Sequence, residues 1–390
     1  MKINQVYSVL NGIAKQMWGE DALTAADLRG VISMGENVLN SNNDKEQFLK
    51  VLADRIGSTI LRTLDLELDF PNLLRNSFEW GAIIQKINIQ PFEAQSQEAW
   101  NVGESGFAPT NFKIDKPVVT QTFFKGANAW EFDVTIPDTM LKTAFTSAEA
   151  FGAFVDGIMS ALTDSMTYAL NNMSYMAIDN FVAEKIKANN GVVDVLAGFN
   201  TQAGTSYNTL KEAMDDKEFY RYVGMVTRNQ IKYMSKPSKL FNTSDLVRAT
   251  ARDNMHVLIS ADFMSGYTTY LSSDTFHDEL VAMPGYREFV TLQASSDGNG
   301  ALPTIEGNTS INVIPASNAT NDKTAIEAKG IIAILADREA IGVGYDDRFT
   351  AVDRNNRNRY SNYTSGATVQ YFNDVSENGV IIIAPDKSGE

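Results

Sequence analysis

Between Thr146 and Asn190 the chain keeps apolar residues at helical spacing for far longer than an ordinary globule needs. The series runs Phe151, Phe154, Val155, Ile158, Met159, Leu162, Met166, Leu170, Met173, Ala177 and Phe181. Thr146 or Ser147 can cap its start, with Glu149 placed as a capping-box acid, and Asn189-Asn190-Gly191 supplies the stop. Roughly 40 residues at about 1.5 Å each make a rod of about 60 Å, whereas the usual globular helix has about 11–12 residues. The expectation is an elongated molecule with one helix as its backbone. Gly152, Gly157 and the lack of a second such run argue against a coiled coil. The methionines Met159, Met166, Met173 and Met176 read as adaptable packing rather than a ligand box.

What flanks the rod limits the fold further. Residues 1 to about 70 look helical and segmented, with Val6, Leu10 and Ile13, then Phe48, Leu52, Ile56, Ile60 and Leu64 in phase and the polar break SNNDKEQ between them. They read as an arm rather than an independent domain. From about 82 to 136 the period changes to two: IIQKINI, VVTQTFFK and WEFDVTI are β-prone, and Trp130, Phe132, Val134 and Ile136 alternate with polar residues. Pro91, Gly103, Gly106, Pro109 and Pro117 lie between the outer strands, so a long, irregular, aromatic-tipped hairpin is expected. Strand edges of that length invite aggregation unless covered, and a neighbouring copy is the simplest cover.

Beyond the rod the pattern is mixed. KEAMDDKEFYRYV (211–223) and SDLVRATARDN (244–254) read as helices, HVLISADF (256–263) as a strand and turn, and residues 264–283 as another helical piece. INVI is a short β run. GIIAILADREAIGVGYD gives two strands broken at Asp337-Arg338-Glu339, and ATVQYFND and GVIIIAP give the last two.

Composition excludes several chemistries. The 390 residues contain no cysteine, which removes disulfides and thiolate catalysis. No apolar run is long enough to cross a bilayer, and the N-terminus lacks the apolar block of a secretory signal. With 33 Lys+Arg against 48 Asp+Glu the formal charge is −15, whereas tight nucleic-acid binding needs a cationic face. Acidity suits a surface that lies near DNA without sticking to it, and simple solubility explains it equally well.

The candidate motifs mostly fail. His256 and His277, without HExxH or cysteine, do not make a zinc site, and His277-Asp278-Glu279 is more simply a helix end than half of an acid–base pair. Gly103-Glu104-Ser105-Gly106 lacks the last glycine of a nucleophile elbow, since Phe107 stands there. Gly342-Val343-Gly344 has neither GxGxxG nor a Walker lysine. Carboxylates in TAVDRNNRNR and YDD have no fixed separation for glycoside hydrolysis. The cluster Arg348, Arg354, Arg357 and Arg359 is interleaved with Asp346, Asp347 and Asp353, which favours ion pairing between subunits, or a self-satisfied surface, over nucleic acid. No catalytic, cofactor or metal residue is expected.

The order of parts carries the resemblance: helical arm, extended hairpin, very long helix, mixed insertion and closing strands. The chain resembles the Hong Kong 97-type capsid fold of tailed-phage and herpesvirus shells and of encapsulins. DRIGSTILRTL, TFFKGANAWEFDVTIPDTMLKTAFTSAEAFGAFVDGIMSAL and ILADREAIGVGYDDRFTAVDRNNRNRYSNY look like capsid proteins of phages infecting Gram-positive bacteria. The resemblance implies an α+β fold with an N-arm (1–80), an E-loop β hairpin (81–137), a P-domain with the long spine helix (138–210), an A-domain (211–345) and closing P-domain strands (346–390). It implies copies forming pentamers and hexamers of an icosahedral shell around double-stranded DNA, which stays nearby without being tightly bound. A portal and a separate scaffolding protein are the other expected partners, since no charged helical segment precedes the arm; no membrane is involved.

Residues 91–117 would then lie over an adjacent subunit, and 54–66 would grip another. The candidate intersubunit contacts are Arg55 and Arg62 in the arm, Trp100, Phe107, Phe112, Lys113 and Lys116 in the hairpin, and Arg348, Arg354, Arg357 and Arg359 near the end. Some relatives cross-link Lys to Asn, but the spacing of Lys113 and Lys116 from Asn355 and Asn356 supports no isopeptide bond, and none is expected. The rival readings are an encapsulin-type nanocompartment, a tail or adhesion protein, and a hydrolase.

Overall fold

The computed structural model describes residues 3–19, 25–63, 68–75, 84–89, 116–117, 119–124, 127–272, 285–292, 311–314, 324–355 and 357–386. Its axis is helix α5 (Ala148–Lys187), 40 residues long, capped by the Ser147 side chain, which accepts from the Ala150 amide at 3.1 Å. The helix ends at Ala188, and the chain reverses through Asn189 (φ +47) and Gly191 (φ +71). A side chain at Gly191 would sit 2.2 Å from the Gly379 carbonyl, so both the backbone angle and the space require glycine.

The two halves of α5 serve different cores. Phe151, Val155, Ile158, Leu162 and Met166 pack with α1 (Ile3–Trp18), α2 (Leu28–Asn40) and α3 (Asn42–Thr63). Val6, Leu10, Ile13, Val31, Met34, Val38, Phe48 and Leu52 are buried there, and the Phe48, Phe145 and Phe151 rings lie within 6.1 Å of one another. This corrects the arm: residues up to Leu52 belong to the body. The polar break is also shorter than expected. Ser41 alone interrupts the helices, its hydroxyl accepting from the Asn43 and Asp44 amides, so the polar run after it forms the first turns of α3.

The second half of α5, Leu170 to Ala183, covers a five-stranded sheet. The strand order is β4 (Val192–Asp194), β12 (Gly379–Ile383), β9 (Ile331–Asp337), β5 (Met255–Ser260) and β6 (Arg287–Phe289). Leu258, Ile334, Ala336 and Ile381 face α5. The alternate residues Val257, Ile259, Leu335, Val380 and Ile382 face α6 (Val195–Ala203), α8 (Lys217–Met234) and α9 (Ala261–Ser272). Covered on both sides, these strands read as unbroken apolar runs instead of alternating ones.

A three-stranded antiparallel sheet, β10 (Ile341–Asn355), β11 (Tyr360–Asn373) and β3 (Ala127–Pro137), completes the body. It changes one expectation. WEFDVTI is not the outer strand of the hairpin: β3 pairs with β11 along its whole length. The late arginines lie along and at the turn of the long β10–β11 hairpin.

Two helix expectations also change. KEAMDDKEFYRYV splits into α7 (Leu210–Met214) and α8, because the Asp216 side chain caps α8 by accepting from the Glu218 amide at 2.9 Å. Residues 244–254 are not an α-helix, since their polar groups have other partners. Ser238 and Arg248 exchange backbone hydrogen bonds, the Asn242 amide donates to the Leu246 carbonyl, and the Thr250 hydroxyl donates to Asp337. Only Arg252–Asn254 forms a 3-10 turn. Conversely, α9 begins directly after β5, where a turn was expected.

Candidate intersubunit surface

The hairpin pairs IIQKINI with VVTQTFFK. Strands β1 (Ile84–Ile89) and β2 (Val119–Phe124) are antiparallel, with Ile89 opposite Val119, Ile87 opposite Gln121 and Gln85 opposite Phe123. Because side chains alternate across a strand, these six residues share one face. Ile87 is 54% exposed, Ile89 61%, Val119 44% and Phe123 60%. Four large apolar side chains side by side on one sheet face are costly in water, and such a patch marks an interaction surface.

The opposite face fastens the finger to the body. The Phe124 ring lies 5.5 Å from that of Phe372. Lys86 pairs with Asp374 at 3.0 Å and Glu377 at 2.5 Å, and also donates to the Glu339 carbonyl at 3.0 Å. Glu377 is shared with Arg248 at 2.5 Å. Just upstream, Arg75 donates to the Arg338 carbonyl and lies 3.9 Å from Glu339. Both turns that follow β9 and β11 therefore hold the finger's root. Deeper still, the buried Lys185 donates to the carbonyls of Phe241 and Glu377 and to Asn190; burial lowers its pKa to about 7.

The candidate residues fall into four groups. Trp100, Phe107, Phe112 and Lys113 lie outside the described residues, as do His277 and Asn356. Arg55 and Arg62 fall on α3 and Arg348 on β10, with no description of their side chains. Lys116, Arg357 and Arg359 are exposed. Arg354 is the correction. Its side chain is 1% exposed and forks onto both carboxylate oxygens of Asp138 at 2.9 Å, with further bonds to Ser361 and Asn42. Asp138 opens α4 (Asp138–Ala144) and also takes Lys45 of α3 at 3.2 Å. Arg354 thus ties α3, α4 and β10 together inside one subunit and is not available to a neighbour. Hydrogen bonding from Arg354 holds the Asp138 carboxyl below its usual range, with Lys45 adding to it.

The other motifs find structural roles. Asn355 accepts from the amides of Arg357 and Asn358, which shapes the β10–β11 turn. At Gly342 a side chain would strike the Phe372 ring, so that glycine serves packing rather than phosphate binding. No group of His and acidic residues among the described ones could hold a metal, and no described helix is long and apolar enough to cross a membrane.

His256 sits buried on β5, its Nδ1 2.8 Å from the Asn72 side-chain nitrogen in the 3-10 turn Pro71–Leu73. Burial, then the charges of Arg75 and Arg338, lower its pKa from 6.5 to about 4. The imidazole stays neutral when folded and charges on unfolding, so stability is lost as pH falls from about 6.5 toward 4. Between pH 7 and pH 5 that loss amounts to about 2 kcal/mol. In urea titrations, His256→Gln is expected to shrink the difference between the two pH values by about that amount; an unchanged difference would exclude His256 as its source.

The exposed face of β1–β2 marks a surface for association, and the fold itself has counterparts among solved structures. A chain in the capsid structure of Staphylococcus phage Andhra superposes with TM-score 0.53 at 11% identity, covering 83% of this chain and 87% of that one. A chain in the structure of the head fibre and inner core protein of native bacteriophage P68 gives 0.51 at 12% identity, covering 82% and 85%. The architecture is a phage capsid-protein fold of mixed helix and sheet. Residues 10–383 match the model of the Phi29-like phage major capsid protein family, and the chain belongs to that family.

Among curated relatives, the major capsid proteins of Streptococcus phage Cp-1 and Bacillus phage GA-1 are 25% and 24% identical over 56% and 67% of this chain. The match spans 56% and 51% of those relatives, little more than half their length. Both relatives are named as major capsid proteins, in keeping with the family match and not with a hydrolase or nanocompartment reading. The exposed four-residue face escaped the sequence reading because alternation was counted on WEFDVTI. The signal was available in KINI, where Ile87 and Ile89 stand two positions apart and put the polar Lys86 and Asn88 on the other face.

Proposed function

We propose that the chain is the major head protein of a phage, whose copies associate into pentamers and hexamers and tile an icosahedral shell enclosing double-stranded DNA. The observation that carries this reading is the apolar outer face of β1–β2, whose other face Lys86 and Phe124 fasten to the body. Small contacts repeated under closed symmetry make a stable shell from modest interfaces.

In Hong Kong 97-type terms, β1–β2 takes the part of the E-loop and α5 that of the spine helix. Helices α6–α9 with their sheet make the A-domain, and β3, β10 and β11 make the closing P-domain sheet. Residues 54–66 would grip a further neighbour. A scaffolding protein and a portal are the partners such a shell requires. The net charge of −15 keeps packaged DNA from adhering broadly to the subunit.

Purified protein, with and without co-expressed scaffold, is expected to give closed shells or capsomer rings in negative-stain micrographs. A protein that stays monomeric at high concentration in both preparations would overturn the reading.

A further inference from the structure

One stretch runs against the acidic balance of the chain. Residues 228–239, RNQIKYMSKPSK, hold four of the 33 cations and none of the 48 acids. Lys232 lies in the last turn of α8, where the negative end of the helix dipole favours a cation. Lys236 follows one turn on, its amide bonded to the Tyr233 carbonyl. Lys239 comes after the Ser238–Arg248 bridge that fixes the next stretch of chain. All three lysines are exposed, and no described carboxylate pairs with any of them. Elsewhere Lys45, Lys86, Arg248 and Arg354 all have acidic partners within the chain. Tyr233 and Leu240 stand exposed beside the lysines.

We propose that the ridge formed by Lys232, Lys236 and Lys239 is a weak, sequence-independent contact for the phosphate backbone of duplex DNA. The residue type favours this occupant. An acidic peptide is usually gripped by arginine forks, which match a carboxylate with two parallel bonds, whereas lysine presents a point charge that needs no register. Duplex DNA carries one charge per roughly 1.7 Å of axis, denser than an acidic peptide, and binding gains from released counterions. Beyond a Debye length of about 8 Å at physiological salt, the acids elsewhere on the subunit are largely screened from the ridge. The affinity is low because only three charges act. This inference does not depend on shell formation.

The test uses the full chain and a fluorescently labelled duplex of random sequence, with anisotropy read across a salt series. Three phosphate contacts predict a slope of log K against log salt of about −3. Each single change, Lys232→Gln, Lys236→Gln or Lys239→Gln, is expected to reduce the slope by about 1, and the triple change to abolish binding. The comparator Arg357→Gln/Arg359→Gln, exposed cations at the β10–β11 turn, is expected to bind as the parent does. Circular dichroism checks that each variant is folded. The proposal fails if the parent does not bind, if the triple variant keeps the parent slope, or if the comparator loses as much. It also fails if polyglutamate competes as well as unlabelled DNA at equal charge, since the ridge would then be an acidic-peptide site.

Discussion

Ile87→Asp combined with Phe123→Asp is expected to leave a soluble, folded subunit that forms no shells. Both side chains point away from the body, so nothing in the subunit's own core is lost. The effect appears only on association. Each parent side chain, roughly half-exposed in the subunit, returns about 1 kcal/mol when a neighbour covers it. A carboxylate in its place must be desolvated or neutralised, at a cost of several kcal/mol per contact. Every copy carries the change, so the loss repeats around each ring and across the shell. The check is sedimentation and microscopy on material with an unchanged thermal transition. Normal shells would show that the outer face of the finger lies outside every interface. Gln121→Asp, on the same face but already polar, should assemble far better than the double variant.

The second large effect falls on the subunit itself. Asp138→Ala is expected to destabilise folding by about 3–5 kcal/mol, because it leaves the nearly inaccessible guanidinium of Arg354 without its counter-ion. Lys45 loses its partner at the same time but can turn to water. If orphaned charge is the cause, Asp138→Ala with Arg354→Met should recover much of the loss, since the pair would be gone rather than half removed. Equal destabilisation in the single and double variants would point to the α4 start instead. Asp138 also carries an acid dependence. Its pKa is lowered in the fold, so its contribution is present above the ordinary carboxylate range and lost as pH falls through the lowered value. Chemical denaturation at neutral and acidic pH tests both statements.

How much of this was legible in the sequence depends on how local each feature is. Helix α5 was readable to within two residues at its ends, because its period, cap and stop all lie in one stretch of chain. Strands β9 and β12 were readable as apolar runs bounded by turns. The partner of β3 was not, since WEFDVTI fits any sheet edge and β11 lies more than 220 residues away. Arg354 shows the same limit at the candidate site. In sequence it is one of four arginines mixed with acids, and only the register of β10 on β11 and the approach of α4 bring it to Asp138, 216 residues upstream. Local charge pattern indicated that these arginines would find acids, but not whether inside the subunit or across a boundary. The lysines of RNQIKYMSKPSK were not singled out in the sequence, because exposure and pairing, unlike composition, are set by the fold.

Helix α5 belongs to two cores, the three-helix layer at one end and the double-faced sheet at the other. Its continuous hydrogen bonding spans about 60 Å without a joint. A load applied at the helical layer therefore reaches the sheet through a stiff beam, and the two ends shift together or not at all. If copies join edge to edge, as proposed, each contributes one unbroken girder, and a wall built of such members has no hinge inside any of them at which to buckle.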